Sequence, residues 1–335
     1  MRFLCYVTAL AVSVSCVNAA IDGGVVADRV EEKGCMSVNV RFDDVSTKAQ
    51  TDYVTALNEE AKVNSMTILV FDKATGMLNA TLDASAVSES YMMHLPVGQK
   101  IVYAVINGPS LGGVSKASDI NALIDDLSVS TMSDAGLTLV GSEECDVVAG
   151  DTPTSVTVTV RWLVSRVVLR NVTCNIPAQY GEMTLDCVYL GNANSTQKFS
   201  GETGGKKNVD GYSDADQPIG HGGVTGACPS YFYRSVGKDV AVGESMTEKY
   251  HMYCQPNSTQ DYTCLYVLTT IGGVQYYYRV PLDQGLAANT TCSVDLRITN
   301  LGSLTPPDGD LQKGEIQAVV TIEGWAAGND YVAEF

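Results

Sequence analysis

The stretch TSVTVTVRWLVSRVVLRNV, from Thr154 to Val172, constrains the fold more than any other part of the chain. Val156, Val158 and Val160 alternate with Thr157, Thr159 and Arg161, and the apolar run continues through Val164, Val167 and Leu169. Strict alternation is the signal of a β-strand with one buried face, because successive side chains point to opposite sides of the pleat. The run is much longer than an ordinary strand. It is therefore expected to leave one sheet and enter a second, with a domain boundary near Ser165.

The same pattern recurs on both sides of that boundary. MSVNVRF sets Met36, Val38, Val40 and Phe42 against Ser37, Asn39 and Arg41. SMTILVFDKATGMLNATL reads as a hairpin turning at Gly76, and YMMHLPVGQKIVYAVINGP as another strand pair around Pro96 and Gly98. Further strands are expected at 182–189, 230–234, 262–270, 274–280 and 292–299. One helix is expected, capped by Ser118 and carrying Ile120, Leu123, Ile124 and Leu127 at helical spacing. The polar stretch from Asp43 to Lys62 reads as an exposed loop. Many short strands with few helices predict an all-β chain of two β-sandwiches in series, over 36–164 and 165–305.

A final segment, 306–335, stands apart behind Pro306, Pro307, Asp308 and Gly309. In it Ile316, Ala318, Val320 and Ile322 alternate with mostly polar neighbours up to Trp325. This is a long half-buried strand, cut off from the one before it.

The first twenty residues hold Arg2, an apolar run from Phe3 to Val14, and then small residues. That is the layout of a secretory signal, with a run too short to span a bilayer. Two processing sites compete. SVSC places Cys16 where a bacterial lipoprotein carries its acylated cysteine, with palmitate as a typical chain, and makes 1–15 the signal peptide. VNA before Ala20 suits ordinary signal peptidase. Residues 16–35 then read as a linker or propeptide. Eight cysteines follow Cys16, enough for up to four disulfides in an exported chain, with buried thiols as the other reading.

Acidic residues outnumber basic ones, 38 to 21, and no basic stripe occurs, so nucleic acid is not an expected partner. The three histidines, His94, His221 and His251, are scattered and accompany no nucleophile-elbow motif. His251 and Cys254 lack a second ligand pair for a closed metal site. GHGGVTG lacks the Lys-Ser/Thr of a phosphate loop, and Asp210, Asp214 and Asp216 lack calcium-loop spacing. The expectation is no catalytic residue, no metal and no cofactor. A glycan-active β-sandwich enzyme would need two carboxylates facing across a cleft, which no motif here marks.

Several stretches together resemble the fimbrillin family, the major fimbrial subunits of Bacteroidales. They are VNSMTILVFDKATGML, LPVGQKIVYAVIN, RWLVSRVVLRNV, YYYRVPLDQGLAANTTCSVDLRITNLGS and IQAVVTIEGW, in that order. The resemblance implies transthyretin-like sandwiches and a lipid-anchored precursor at the outer membrane. It also implies a trypsin-like or gingipain-like maturation protease that removes the first strand, so that the last strand of another copy fills the vacated place. Family members often carry Arg-Ala after the first strand, and this chain has Lys48-Ala49. Cys292 stands where the family commonly has an aromatic residue.

The residues support that exchange on physical grounds. Removing Met36, Val38, Val40 and Phe42 opens an apolar groove and unpairs backbone groups on the flanking strands. Ile316, Ala318, Val320 and Ile322 repeat their spacing. Burying Ile316, Val320 and Ile322 is worth roughly 5 to 9 kcal/mol before ordering costs, at about 1.5 to 3 kcal/mol each. A head-to-tail contact of this kind does not close, so it builds a filament. The expected protein is a stalk-type structural subunit supporting adhesion, with other copies, anchor and tip subunits as partners. A tip adhesin or a non-polymerising surface lipoprotein of the same fold is the alternative.

Overall fold

The computed structural model describes residues 32–43, 57, 60, 62–85, 88, 90–127, 136–206, 230–305 and 316–324. More than half of these residues lie in strands and very few in helical turns, as the alternation predicts.

Seven strands of the first half hydrogen-bond in one order. They are β3 (Leu78–Ala84), β2 (Met66–Asp72), β5 (Gly98–Ile106), β7 (Leu139–Val147), β8 (Gly150–Trp162), β1 (Lys33–Phe42) and β4 (Tyr91–Pro96). The join between β7 and β8 is brief: Leu139 pairs with Trp162 and Val140 with Arg161. Beyond it the sheet folds over, and Cys145 Sγ of β7 comes within 3.6 Å of Met36 Sδ of β1. Gly141 sits at the fold, where any Cβ would run into the Thr159 carbonyl. The core between the two leaves takes Ile68, Val70, Val102 and Ala104 from one side and Met36, Val38, Val156 and Val158 from the other.

The chain leaves the first sheet at Trp162 and enters the second at Ser165, the start of β9 (Ser165–Cys174). β9 lies parallel to β18 (Thr290–Ile298) and antiparallel to β14 (Ser245–Met246) and β15 (Tyr250–Cys254). β18 pairs in turn with β19 (Ile316–Gly324), which forms the edge. The other sheet of this half runs β13 (Tyr233–Val240), β10 (Met183–Gly191), β16 (Cys264–Ile271), β17 (Val274–Pro281). Val167, Leu169, Leu185, Val188 and Val267 are buried in a core continuous with that of the first half.

The sequence expectations differ from the structure at several points. The helix expected over Ser118 to Leu127 is a single turn, α1 (Ala117–Ile120), in which Asp119 accepts hydrogen bonds from the Ser115 and Lys116 amides at 2.9 and 2.8 Å. Residues Ile124–Asp126 instead form β6, paired with β11 (Thr196–Lys198), which pairs with β12 (Thr203–Gly204). A helix this short has little stability of its own, and backbone partners from the other half of the chain decide the conformation. Strand β1 begins at Lys33, three residues inside the expected linker, because Lys33, Gly34 and Cys35 find partners in Pro96, Leu95 and His94 of β4. The expected strand at 230–234 opens as a 3-10 turn over Ser230–Phe232.

Most of the segment expected as an exposed loop over 43–62 lies outside the described residues, and within it Glu60 departs from that expectation. Glu60 is fully buried between the halves. Cys35, Cys145, Cys174, Cys187, Cys254 and Cys292 carry unpaired thiols, so the described structure holds these positions as buried or half-buried thiols rather than bridges. Among the described residues no helix is long and apolar enough to cross a membrane.

Candidate strand-exchange site

Strand β1 is the second strand from the sheet's edge, antiparallel to β4 on one side and parallel to β8 on the other. Met36 and Val38 are fully buried, and Val40 nearly so. Phe42 packs at the end of the row, its ring centroid 6.3 Å from that of Trp162. The opposite face is polar and partly exposed, with Asn39 Nδ2 donating to Ser155 Oγ at 3.3 Å. Among the described strands β4 has no partner but β1, so β1 holds the edge of the sheet in place.

Just past β1 the chain is fastened twice. The Asp43 amide donates to the Val160 carbonyl at 3.0 Å. Its carboxylate oxygen Oδ2 accepts from Arg161 Nε at 2.6 Å and from Asn289 Nδ2 at 3.3 Å. Asn289 belongs to the second half and has a positive φ of 59°, which an asparagine tolerates better than most side chains. Its Oδ1 also accepts from the Trp162 amide at 3.3 Å. The sequence reading missed this polar knot, since a lone Asp after a strand and an Asn in ANTT carry no signal of meeting.

Strand β19 pairs along its whole length with β18 of its own chain, from Ile316 opposite Ile298 to Gly324 opposite Thr290. Val320 and Ile322 are half-buried and pack against the core, while Ala318 is exposed and Val319 is 62% exposed. On the other face, Glu323 has one carboxylate oxygen, Oε2, that is buried with no hydrogen-bond partner among the described residues. The last strand is thus an edge strand resting on its own sheet, with its apolar side only partly covered.

The structure does not bring β1 and β19 together: they belong to different sheets. Cys16, Lys48, Ala49 and Trp325 lie outside the described residues, as do His221 and Asp210, Asp214 and Asp216. His94 is exposed on β4. His251 is half-buried on β15, where burial, followed by Arg166, Arg234 and Lys249, lowers its pKa to about 4. Asn194 opens an Asn-Ser-Thr triplet of the kind that accepts N-glycans, but it is buried and donates to the Pro256 carbonyl at 2.7 Å, which leaves no room for a glycan in the folded chain. A polar depression beside β9 is lined by Arg170, Asn171, Thr247, Lys249 and Asp295, but Arg170 is already engaged by Asp295, Nε to Oδ1 at 2.9 Å.

Comparison with known proteins agrees with the resemblance. Residues 36–159 match the family model of the major fimbrial subunit protein, FimA, a family of structural subunits. None of the curated proteins matches the chain by sequence. Among solved structures, a fimbrilin (FimA) from Porphyromonas gingivalis superposes with a TM-score of 0.62 at 14% identity, covering 89% of this chain and 99% of its own. A candidate cell adhesion protein from Bacteroides eggerthii gives 0.63 at 18% identity, covering 88% and 96%. Another from Parabacteroides distasonis gives 0.61 at 15%, covering 89% and 98%. At such identities the superpositions establish the fold, and the family match supports a structural subunit of a cell-surface pilus. The chain thus has a β-sandwich fold like that of the fimbrilin structure, and its residues 36–159 match the model of the FimA major fimbrial subunit family.

Proposed function

We propose that the protein is a stalk-type fimbrial subunit, divided into domains at 36–164 and 165–305, that polymerises by strand exchange. In this reading the precursor is exported, acylated on Cys16 and held at the outer membrane. A protease then cuts between Lys48 and Ala49. Loss of the segment ahead of the cut removes β1, and the 306–335 segment of another copy supplies β19 in its place. Anchor and tip subunits of the same fold bound the filament, and adhesion follows from the polymer.

One observation carries this reading. The strand just upstream of the scissile loop is a single insertion between β4 and β8, burying Met36, Val38, Val40 and part of Phe42, and the edge strand β19 repeats that apolar spacing. Insertion of an extended segment between two strands recovers main-chain hydrogen bonds on both sides as well as the apolar burial. The presence of β19 favours a stalk over a tip subunit, which has no successor to supply.

The test is the N-terminal residue of the assembled, surface-extracted protein, with gels of unheated surface fractions for a chain lacking 314–335. Ala49 at the N-terminus and loss of high-molecular-weight ladders on truncation are expected. An intact acylated Cys16 inside polymer, or ladders indifferent to the truncation, would overturn the mechanism.

A further inference from the structure

We infer that Glu323 of one copy takes the place of Asp43 in the next, pairing with Arg161, and that this carboxylate sets the register of the exchanged strand. The inference rests on the strand-exchange reading above and adds to it a residue that determines alignment.

The alignment follows from parity and direction. β1 runs parallel to β8, with Met36, Val38, Val40 and Phe42 beside Thr154, Val156, Val158 and Val160. A replacement strand running the same way, with its apolar residues inward, sets Ile316, Ala318, Val320 and Ile322 in those four places. Glu323 then follows Ile322 as Asp43 follows Phe42. Both are acidic and both lie on the outer face, where Arg161 and Asn289 hold Asp43 now. Cleavage after Lys48 carries Asp43 away with β1 and leaves Arg161 and Asn289 without that carboxylate.

Slipped registers are worse in two respects. Side chains alternate, so a slip must be by two residues to keep the apolar face inward. One slip sets Gly324 in the place of Phe42, opening a void beside Trp162, and brings Trp325 to the place of Asp43. The other sets Gly314 in the place of Met36 and Thr321 in the place of Asp43. Each puts a glycine into an apolar site, and neither offers Arg161 a carboxylate.

A separate observation on the donor points the same way. In its resting position Glu323 keeps Oε2 buried with no hydrogen-bond partner among the described residues. A buried acceptor without a donor raises the free energy of that state. Moving β19 to a site that offers a guanidinium and an amide relieves the deficit, so the same side chain weakens the strand's hold on its own sheet and rewards its transfer. Attraction at the correct register with mismatch at the others is how an interface gains specificity.

The test uses the full chain in a host that assembles it, with Arg161→Glu, Glu323→Lys and the double exchange, reading ladder yield on unheated gels and thermal unfolding of the monomer. Arg161 is 63% exposed, so the pair's effect is moderate. Each single variant is expected to lower ladder yield roughly 3- to 10-fold with unfolding little changed, and the double to recover most of it. The near-isosteric Glu323→Gln should give a smaller loss, absent in an Arg161→Gln background. Singles equal to wild type, or a double no better than the worse single, would overturn the register assignment while truncation of 314–335 still abolished ladders. Ladders that survive the truncation would instead overturn strand exchange itself.

Discussion

Glu60 Oε2 lies 2.7 Å from Arg166 Nη1, and both side chains are fully buried. The pair joins the end of the loop that follows β1 to the first strand of the second half. Trp162 Nε1 donates to the Glu60 carbonyl at 3.1 Å, the Tyr253 hydroxyl donates to Glu60 Oε1, and Arg166 Nε donates to Thr291 Oγ1 at 3.1 Å. Each charge is surrounded by partners, which is the condition under which a buried ion pair is tolerated. Replacing one partner strands the other. Glu60→Ala should lower stability by about 3 to 5 kcal/mol in denaturant unfolding, with Glu60→Gln milder. A loss below about 1 kcal/mol would show that the pair does not fasten the segment.

The Cys145 thiol reports on the state of β1. Its Sγ touches Met36 Sδ, and burial, aided by Asp146, raises its pKa, so it reacts slowly in the intact chain. Removal of β1 should speed alkylation of Cys145 at least about tenfold, located by mass spectrometry, as the thiol loses its cover. Assembly should slow it again. Equal labelling in precursor, cleaved monomer and polymer would contradict the proposed vacancy.

Gly141 allows the first sheet to fold. A methyl group there meets the Thr159 carbonyl on backbone that has little freedom to give way. Gly141→Ala should cost about 1 to 3 kcal/mol of unfolding free energy, as overpacking does in a tight core. Gly112→Ala, in open surroundings apart from the Ser110 hydroxyl at 3.8 Å, should be close to neutral.

His251 gives stability a pH dependence of defined sign. Its folded pKa of about 4 lies below the ordinary 6.5, so the unfolded chain binds the proton more readily. Stability from this group is full above about pH 6.5 and falls as pH drops toward 4, by on the order of 1 to 3 kcal/mol. Asp125 acts oppositely, because burial raises its pKa and folding gains as it protonates. Comparing His251→Gln with wild type between pH 7.5 and 4.5 isolates the first effect: the variant's midpoint should fall less. Parallel curves would remove His251 from the account.

Most strands are legible in the amino-acid order alone. Val156, Val158 and Val160, the row from Met36 to Phe42, and Ile68 with Val70 alternate because one face of each is buried and the other is not. The switch of sheets near Ser165 shows in the length of the run. Short-range pattern also suffices for the row from Ile316 to Ile322, since period-two alternation needs no knowledge of the partner strand.

Tertiary structure decided what depends on distant partners. Ile120 to Leu127 has helical spacing, yet Asp125 and Asp126 form a strand because Gln197 and Thr196 present backbone groups to them. Glu60 sits in a polar segment that reads as exposed, and only the approach of Arg166 and Tyr253, 106 and 193 residues away, makes its burial tolerable. The meeting of Asp43 with Arg161 and Asn289, and the unpartnered oxygen of Glu323, are likewise products of packing. Alternation is a local property written in neighbouring residues, whereas desolvated charges are settled by whichever side chains the fold brings within a few ångströms.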